Sequence, residues 1–445
     1  MIILHYFLGF PPFRSGGLTK YAVDLMEAQC KDGNSVVALW PGMMKFFNRK
    51  VEIKKKKKVN DINNYEIINP LPVSLDEGIM DIEKYTQSCD ISVYLNFLEK
   101  IEPDVVHIHT LMGLHKEFID AARKLKIRTV FTTHDYFGLC PKVTLYNNGK
   151  CCDNDHNCND CVNCNLSALS FNKIRIMQSP LYRMVKDLSL IKILRKKHRK
   201  EFFSEEEFMP SSNCSSKEIV DYKRLRQFYL SILNQVDFIH FNSTVSEQVY
   251  RRFIIPKNSR VISITHKNIK KQIVERNSFD KKKTILYLAP AKPYKGFNVL
   301  KEALDHLWEE GHHDFQLLIF SSVFEKSPYM IVKEDGFKQE ELKEIMSSAD
   351  LLVAPSIWYE TFGFTVLEAL SYGVPVIVSN NVGAKDIIGD SGIVVKAGDS
   401  QALKDAILSM TEKKISELRE NMKSLKVKEW SDFVKENYLL YRKCV

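Results

Sequence analysis

The chain has 445 residues, 44% of them hydrophobic and 27% charged, with a formal net charge of +9 and 10 cysteines. That balance belongs to a soluble globular protein of two or three domains. No long unbroken apolar run occurs, which excludes a spanning helix. The charge is too modest, on its total alone, to indicate a nucleic-acid partner.

Residues 1–8 lack a basic n-region and stop at Pro11-Pro12, so they read as a first strand and not a signal peptide. A cytoplasmic chain with reduced thiols is the resulting expectation. Residues 9–17 form a loop. Residues 18–31 form a helix with Tyr21, Leu25, Met26 and Ala28 at helical spacing, and residues 36–39 form the next strand. The lysine run 54–58 reads as a solvated edge or loop, with contact to anionic lipid as a secondary role.

Residues 103–109 and 128–135 are strands with helical segments beside them, the alternation of a doubly wound sheet. Functional side chains belong at the carboxyl ends of such strands, where His109 and His134 stand. His107 and His109 read equally well as core histidines.

From Cys140 to about residue 215 the rhythm breaks. Cys140, Cys151, Cys158, Cys161 and Cys164 are dense enough to hold a structural Zn or Fe–S centre, the alternatives being reduced thiols or adventitious disulfides. Lys and Arg dominate residues 171–200. After Pro180, Leu181, Met184, Val185, Leu188, Ile191 and Leu194 recur at helical spacing. Such a basic amphipathic helix either packs on its domain or lies in a membrane interface.

The pattern resumes with a strand at 236–243, a helix at 245–253 and a last strand of this half at 261–266. Residues 270–283 are a charged linker. Residues 284–289 begin a second doubly wound unit, followed by a loop carrying Lys292, Lys295 and Gly296 and a helix from Phe297. Strands follow at 315–320 and 329–332, and a helix at 340–349. Residues 349–354 are a buried parallel strand. A helix then runs from Phe364 to Gly373, and a strand begins at Pro375. Glu360 and Glu368 bracket the start of that helix. Phe362, Gly363, Phe364 and Thr365 put backbone N–H groups at its N-terminus, a ready anion site, and Gly363 admits a ligand close to the backbone. A last helix carries Trp430, Phe433, Tyr438, Leu439 and Tyr441.

The stretch 355–386, PSIWYETFGFTVLEALSYGVPVIVSNNVGAKD, resembles the E-x7-E motif of glycosyltransferase family 4 with its flanks intact. The resemblance implies an α/β, GT-B architecture: two Rossmann-like domains facing across a cleft. The N-terminal acceptor domain would cover 1–268 with the Cys-rich insertion at about 140–215. The donor domain would cover 275–427, and a helix at 428–445 would cross back. It also implies that Glu360 lies near the donor sugar and that Glu368 binds the ribose. His134 matches the histidine that contacts donor sugar or acceptor, Gly16 and Gly17 match a loop against the donor phosphates, and Lys295-Gly296 matches the phosphate-binding Lys-Gly. Ala289-Pro290 stand where the family has Gly-Arg. One phosphate cation is therefore missing, and Lys292 is a substitute without the bidentate fork of arginine.

The implied reaction is retaining hexosyl transfer from a nucleotide-diphosphate sugar, with no cofactor needed for catalysis. The acceptor by family habit is a bacterial polysaccharide or its lipid carrier, at the inner face of the membrane. Two rivals share the fold: a sugar-nucleotide epimerase and a non-enzymatic, metal-stapled lipid-binding or assembly protein.

Overall fold

The structure, a computed structural model, describes residues 1–14, 16–74, 78–147, 149–153, 158–185, 188, 215–274 and 282–442. In the first half the strands are β1 (Ile2–Tyr6), β2 (Ser35–Pro41), β3 (Glu52–Val59), β4 (Ile62–Ile68), β5 (Val105–Ile108), β6 (Arg128–Thr132), the short pair β7 (Tyr146–Asn147) and β8 (Lys150–Cys151), β9 (Phe238–Phe241) and β10 (Ser259–Val261). Eight of them make one sheet in the order β10-β9-β6-β5-β1-β2-β4-β3. Every neighbouring pair is parallel except β3 and β4. The central strands are almost wholly buried because helices cover both faces of a parallel sheet, and the histidines they carry are buried with them.

The lysine run lies in β3, an antiparallel edge strand, where lysines discourage further pairing. One of the five is not simply solvated. Lys56 Nζ sits 2.9 Å from the fully buried carboxylate of Glu66, which Arg183 also reaches at 2.8 Å. The last strand, expected at 261–266, is instead β10 at Ser259–Val261, and 262–266 is not strand. Ile262 N still donates to Phe241 O at 2.9 Å, but Ile262 O is taken by the His240 ring, and the chain leaves the sheet.

The second half holds β11 (Lys283–Tyr287), β12 (Phe315–Ile319), β13 (Met330–Val332), β14 (Leu351–Ala354), β15 (Val376–Ser379) and β16 (Gly392–Val395). They form a fully parallel sheet in the order β13-β12-β11-β14-β15-β16. The order reverses between β11 and β14. The crevice at the carboxyl ends of those two strands is where such sheets bind ligands. The loops after β11 and β14 carry Lys295 and Glu360.

The helix Trp430–Tyr441 joins the halves. Its Phe433, Val434, Leu440 and Tyr441 are buried in one core with Ile3, Tyr21 and Val130 of the first half and Val366 and Leu370 of the second. Each such side chain contributes about 1.5–3 kcal/mol by leaving water. Arg128 Nε donates to Leu440 O at 3.1 Å, pinning the helix end on the first sheet.

Just after the insertion the helix Ser216–Leu233 starts at a capping box of Ser215 and Glu218. The expected basic helix begins as Pro180–Val185. Apart from Leu188, the rest of it lies outside the described residues.

Candidate active site

Two close backbone approaches build the wall formed by the second half. After β11 a short 3-10 turn, Pro293–Lys295, ends at Gly296 with φ +77°. A Cβ there would lie 2.0 Å from Pro355 O, so only glycine lets this turn pack on the loop after β14. That contact brings Lys295 to Glu360: Nζ donates to Oε1 at 2.9 Å. Ser356 Oγ donates to Oε2 at 2.7 Å. The Glu360 backbone is fixed too, its N–H donating to Asn381 O at 2.9 Å and its carbonyl accepting from Gly383 N at 3.0 Å. Burial pushes the Glu360 carboxyl up. The charge and hydrogen bond of Lys295 and the Ser356 hydroxyl outweigh it and hold the group below the usual carboxylate range.

The second approach is at Gly363, φ +105°, the N-cap of the helix Phe364–Ser371. A Cβ there would meet Val382 Cγ1 at 3.0 Å. Phe362 is buried beneath the turn, its ring edge-on to Phe364 at 5.5 Å. Thr365 occupies the first turn, half-buried. Glu368 follows in the same helix, 8% exposed.

His266, which sequence reasoning passed over, faces Glu368. Its Nε2 is 3.4 Å from Oε1, and its ring stands edge-on to Phe364 at 5.3 Å. The ring is buried and neither nitrogen makes a hydrogen bond among the described residues. The residue stands just past the last strand of the first half, and only its distance from Glu368 in space marks it.

The opposite wall comes from the first half. His134 follows β6, half-buried, with its ring edge-on to Tyr21 at 4.5 Å. Thr361 Oγ1 donates to His134 O at 3.1 Å, and Ser243 Oγ donates to Thr361 O at 2.6 Å. One residue beyond Glu360, the loop after β14 is thus clasped by the other domain. Asp386 adds a second clasp, accepting from Thr244 N at 2.7 Å and from Thr244 Oγ1 at 2.6 Å. Gly16 caps the helix Gly17–Lys31, and a Cβ on Gly17 would lie 3.5 Å from the Phe364 ring. The Gly16-Gly17 turn therefore faces the helix N-terminus of the other domain. Lys292 Nζ lies over the Tyr294 ring at 5.2 Å. Asp135, next to His134 and half-buried, accepts from Thr110 Oγ1 and Phe137 N, and partial burial pushes its carboxyl up to about 6.

The cysteines divide. Cys151 Sγ donates to Ile357 O at 3.1 Å in the loop after β14, and Asn381 Nδ2 stands 3.7 Å away. It therefore faces the other domain. The thiol of Cys152, absent from the expected set, is pushed up by burial and by nearby Cys140, Cys164, Asp160 and Cys151, and that of Cys161 by a hydrogen bond with Cys158, by burial and by Cys140. Arg226, buried, directs Nη2 at Cys161 Sγ, 3.6 Å away. Its Nη1 has no hydrogen-bond partner among the described residues. A buried cation beside clustered thiols fits a set that carries negative charge when it holds a metal. Among the described residues, however, the group whose ligand atoms converge within 4.8 Å is His5, His107 and His109, not the cysteines.

Residues 15–150 match the family described as "Glycosyltransferase Family 4", and residues 268–426 match "Glycosyl transferases group 1". A phosphatidyl-myo-inositol mannosyltransferase of Mycobacterium leprae is 33% identical over 142 residues, covering 29% of this chain and 37% of the relative. The match thus spans little more than a third of that protein. A sucrose-phosphate synthase of Thermosynechococcus elongatus superposes with a TM-score of 0.56 at 15% identity, over 99% of this chain and 98% of the other. The Anabaena protein HepE in complex with UDP and glucose does so with a TM-score of 0.53 at 12% identity, over 99% of each chain. At these identities the structural likeness is one of fold.

Proposed function

We propose, for a chain that belongs by both its halves to the family 4 type of glycosyltransferase and has the GT-B fold, that it transfers a hexosyl group from a nucleotide-diphosphate sugar to an acceptor hydroxyl with retained configuration. The observation that carries this reading is the Lys295–Glu360 pair at the N-terminus of the helix Phe364–Ser371, with Glu368 inside that helix and His134 across the cleft.

Each part has a task in that reaction. The bond from the anomeric carbon to the diphosphate oxygen breaks, and negative charge grows on the leaving phosphate. The Lys295 ammonium and the amides from Gly363 to Thr365 are the donors for that charge, and Lys292 is a second cation on the same loop. Glu368 accepts from the ribose hydroxyls. Glu360 lies near the sugar, and His134 contacts it from the acceptor side. The acceptor hydroxyl forms the new bond and gives up its proton. Binding of UDP and glucose by a protein of the same fold supports a nucleotide-sugar donor.

The proposed acceptor is a growing polysaccharide or its lipid carrier, met at the inner face of a membrane. Among the described residues no helix is long and apolar enough to cross a membrane. The surface supports peripheral attachment: Leu181 is 66% exposed, Met184 81% and Phe47 101%. Arg175 bonds Lys45 O and Phe46 O, which sets the Phe46-Phe47 loop beside the helix Phe171–Met177. Apolar side chains flanked by basic ones suit an anionic bilayer surface. Salt-sensitive co-sedimentation with anionic vesicles supports this, and no sedimentation with any lipid removes it.

For the insertion we propose a structural thiolate metal site drawn from Cys140, Cys152, Cys158, Cys161 and Cys164, with Cys151 outside it. Product analysis tests the central reading. Donor turned over into a glycosylated acceptor supports it, whereas an epimerised sugar nucleotide formed from donor alone, or no donor binding at all, favours one of the two rivals.

A further inference from the structure

The buried histidines of the first sheet form one hydrogen-bonded chain, and its polarity can be worked out from its end. Ile262 O, a carbonyl, only accepts, and His240 Nε2 stands 2.8 Å from it. His240 therefore carries its proton on Nε2. Burial pushes its imidazole down to about 4, so the ring is neutral and Nδ1 is an acceptor. Thr132 Oγ1 lies 3.0 Å from that Nδ1 and must donate to it.

Thr132 has no second proton, so it accepts from His107 Nε2 at 2.7 Å. His107 Nδ1 is then an acceptor, and Tyr441 OH at 2.8 Å is its donor. Tyr441 in turn accepts from Gln29 Nε2 at 2.9 Å, which turns Gln29 Oε1 toward His5 Nε2 at 2.7 Å. His5 Nδ1 accepts from His109 Nε2 at 2.9 Å. His109 Nδ1 accepts from His134 Nε2 at 3.4 Å. Flipping the Gln29 amide would reverse every link as far as His240, which would then need protons on both nitrogens. A neutral ring cannot supply them. The same assignment engages both nitrogens of His5, His107 and His109, so their convergence is explained without an ion.

We infer that this chain, anchored at Ile262 O and passing through Tyr441 of the last helix, sets the tautomer of His134, with the proton on Nε2 and Nδ1 left as a hydrogen-bond acceptor for a sugar hydroxyl. Tyr441, Thr132 and Gln29 are positioning residues for His134. The last helix thereby has a second task beyond packing. The role given to Nδ1 rests on the proposed function; the tautomer itself does not.

Long-range 15N–1H NMR of histidine-labelled protein reads the tautomer directly. The expected result is a single Nε2–H form for His134 in the wild type. Tyr441→Phe removes the donor to His107, and Thr132→Val, close to isosteric, cuts the chain next to its anchor. Each is expected to show a mixture of tautomers, and Thr132→Ser to restore the wild-type spectrum. In both cut variants transfer should fall in proportion to the lost Nε2–H fraction, about twofold for an equal mixture of tautomers, with nucleotide affinity unchanged. An Nδ1–H or averaged His134 in the wild type overturns the inference, as does an unchanged tautomer in Thr132→Val. If the tautomers behave as expected but His134→Ala transfers sugar at the wild-type rate, the chain stands and the donor reading of His134 fails.

Discussion

Replacing Lys295 with methionine tests the donor wall at its tightest contact. Methionine keeps the length and apolar stem of lysine and removes the charge. Glu360 is 19% exposed on its side chain, so it loses its cation in a largely dry site. Breaking one partner out of a buried ion pair costs about 3–5 kcal/mol, and partial exposure places this case at about 3 kcal/mol. The pH dependence follows. In the wild type the Glu360 carboxyl is held below its usual range, so its stabilisation is present above the unfolded pKa and lost as pH falls through the folded one. In Lys295→Met burial is opposed only by the hydrogen bonds of Ser356 and Trp358, and the folded pKa rises. The penalty is then full at alkaline pH and shrinks as pH falls toward the unfolded value. Urea denaturation of the wild type and Lys295→Met at pH 8 and pH 5.5 measures this. The double variant Lys295→Met/Glu360→Gln should recover most of the stability and none of the transfer. Equal stability of Lys295→Met and wild type at pH 8 would refute the reasoning.

Glu368→Ala should weaken nucleoside diphosphate binding by about 1.5–3 kcal/mol, read by calorimetry, because the ribose hydroxyls lose a charged acceptor. Glu360→Ala should reduce turnover more than affinity. Acid should unfold the protein early: burial holds His5, His115 and His240 down to about 4 and His134 to about 3. Unfolding lets each bind a proton below pH 6.5, so stability is lost as pH falls. Asp135, pushed up to about 6, works the other way. His107 and His109, held well below their ordinary value by burial, add to this, so six groups gain a proton against one that loses it. The net slope is on the order of 7 kcal/mol per pH unit near pH 5, and a flat denaturation midpoint from pH 7 to 5 would contradict it. Elemental analysis should find about one zinc per chain, lost in Cys161→Ser and kept in Cys151→Ser; a brown, visibly absorbing protein would indicate Fe–S in its place.

The donor half was legible because its signals are local. Strand, glycine turn, helix and the two glutamates follow one another within one βαβ unit, and the Lys295-Gly296 turn announces its own tight approach. The two Rossmann-like sheets were legible from apolar runs alternating with helical periods. What sequence could not show depends on contacts between distant segments. Cys151 and Cys152 are adjacent, yet Cys151 at the end of β8 bonds Ile357 O while Cys152, just past the strand, lies by Cys140. His266 and Glu368 meet only when the two domains close. Tyr441 read as one residue of an apolar stripe, but its hydroxyl bonds Gln29 and His107, more than three hundred residues earlier. The lysine run read as uniformly solvated, yet Lys56, whose strand partner is Asn64, reaches diagonally to the buried carboxylate of Glu66.

The most direct measurement of the central claim is thermal unfolding of the intact protein with a panel of nucleotide-diphosphate sugars, repeated on Glu368→Ala. A ligand that binds only the folded state at a hundred times its Kd stabilises it by about 2.7 kcal/mol. The account predicts that at least one donor raises the Tm of the wild type, and that Glu368→Ala loses most of the rise at the same concentration. A panel that leaves the wild-type Tm unchanged, or an equal rise in Glu368→Ala, would contradict it.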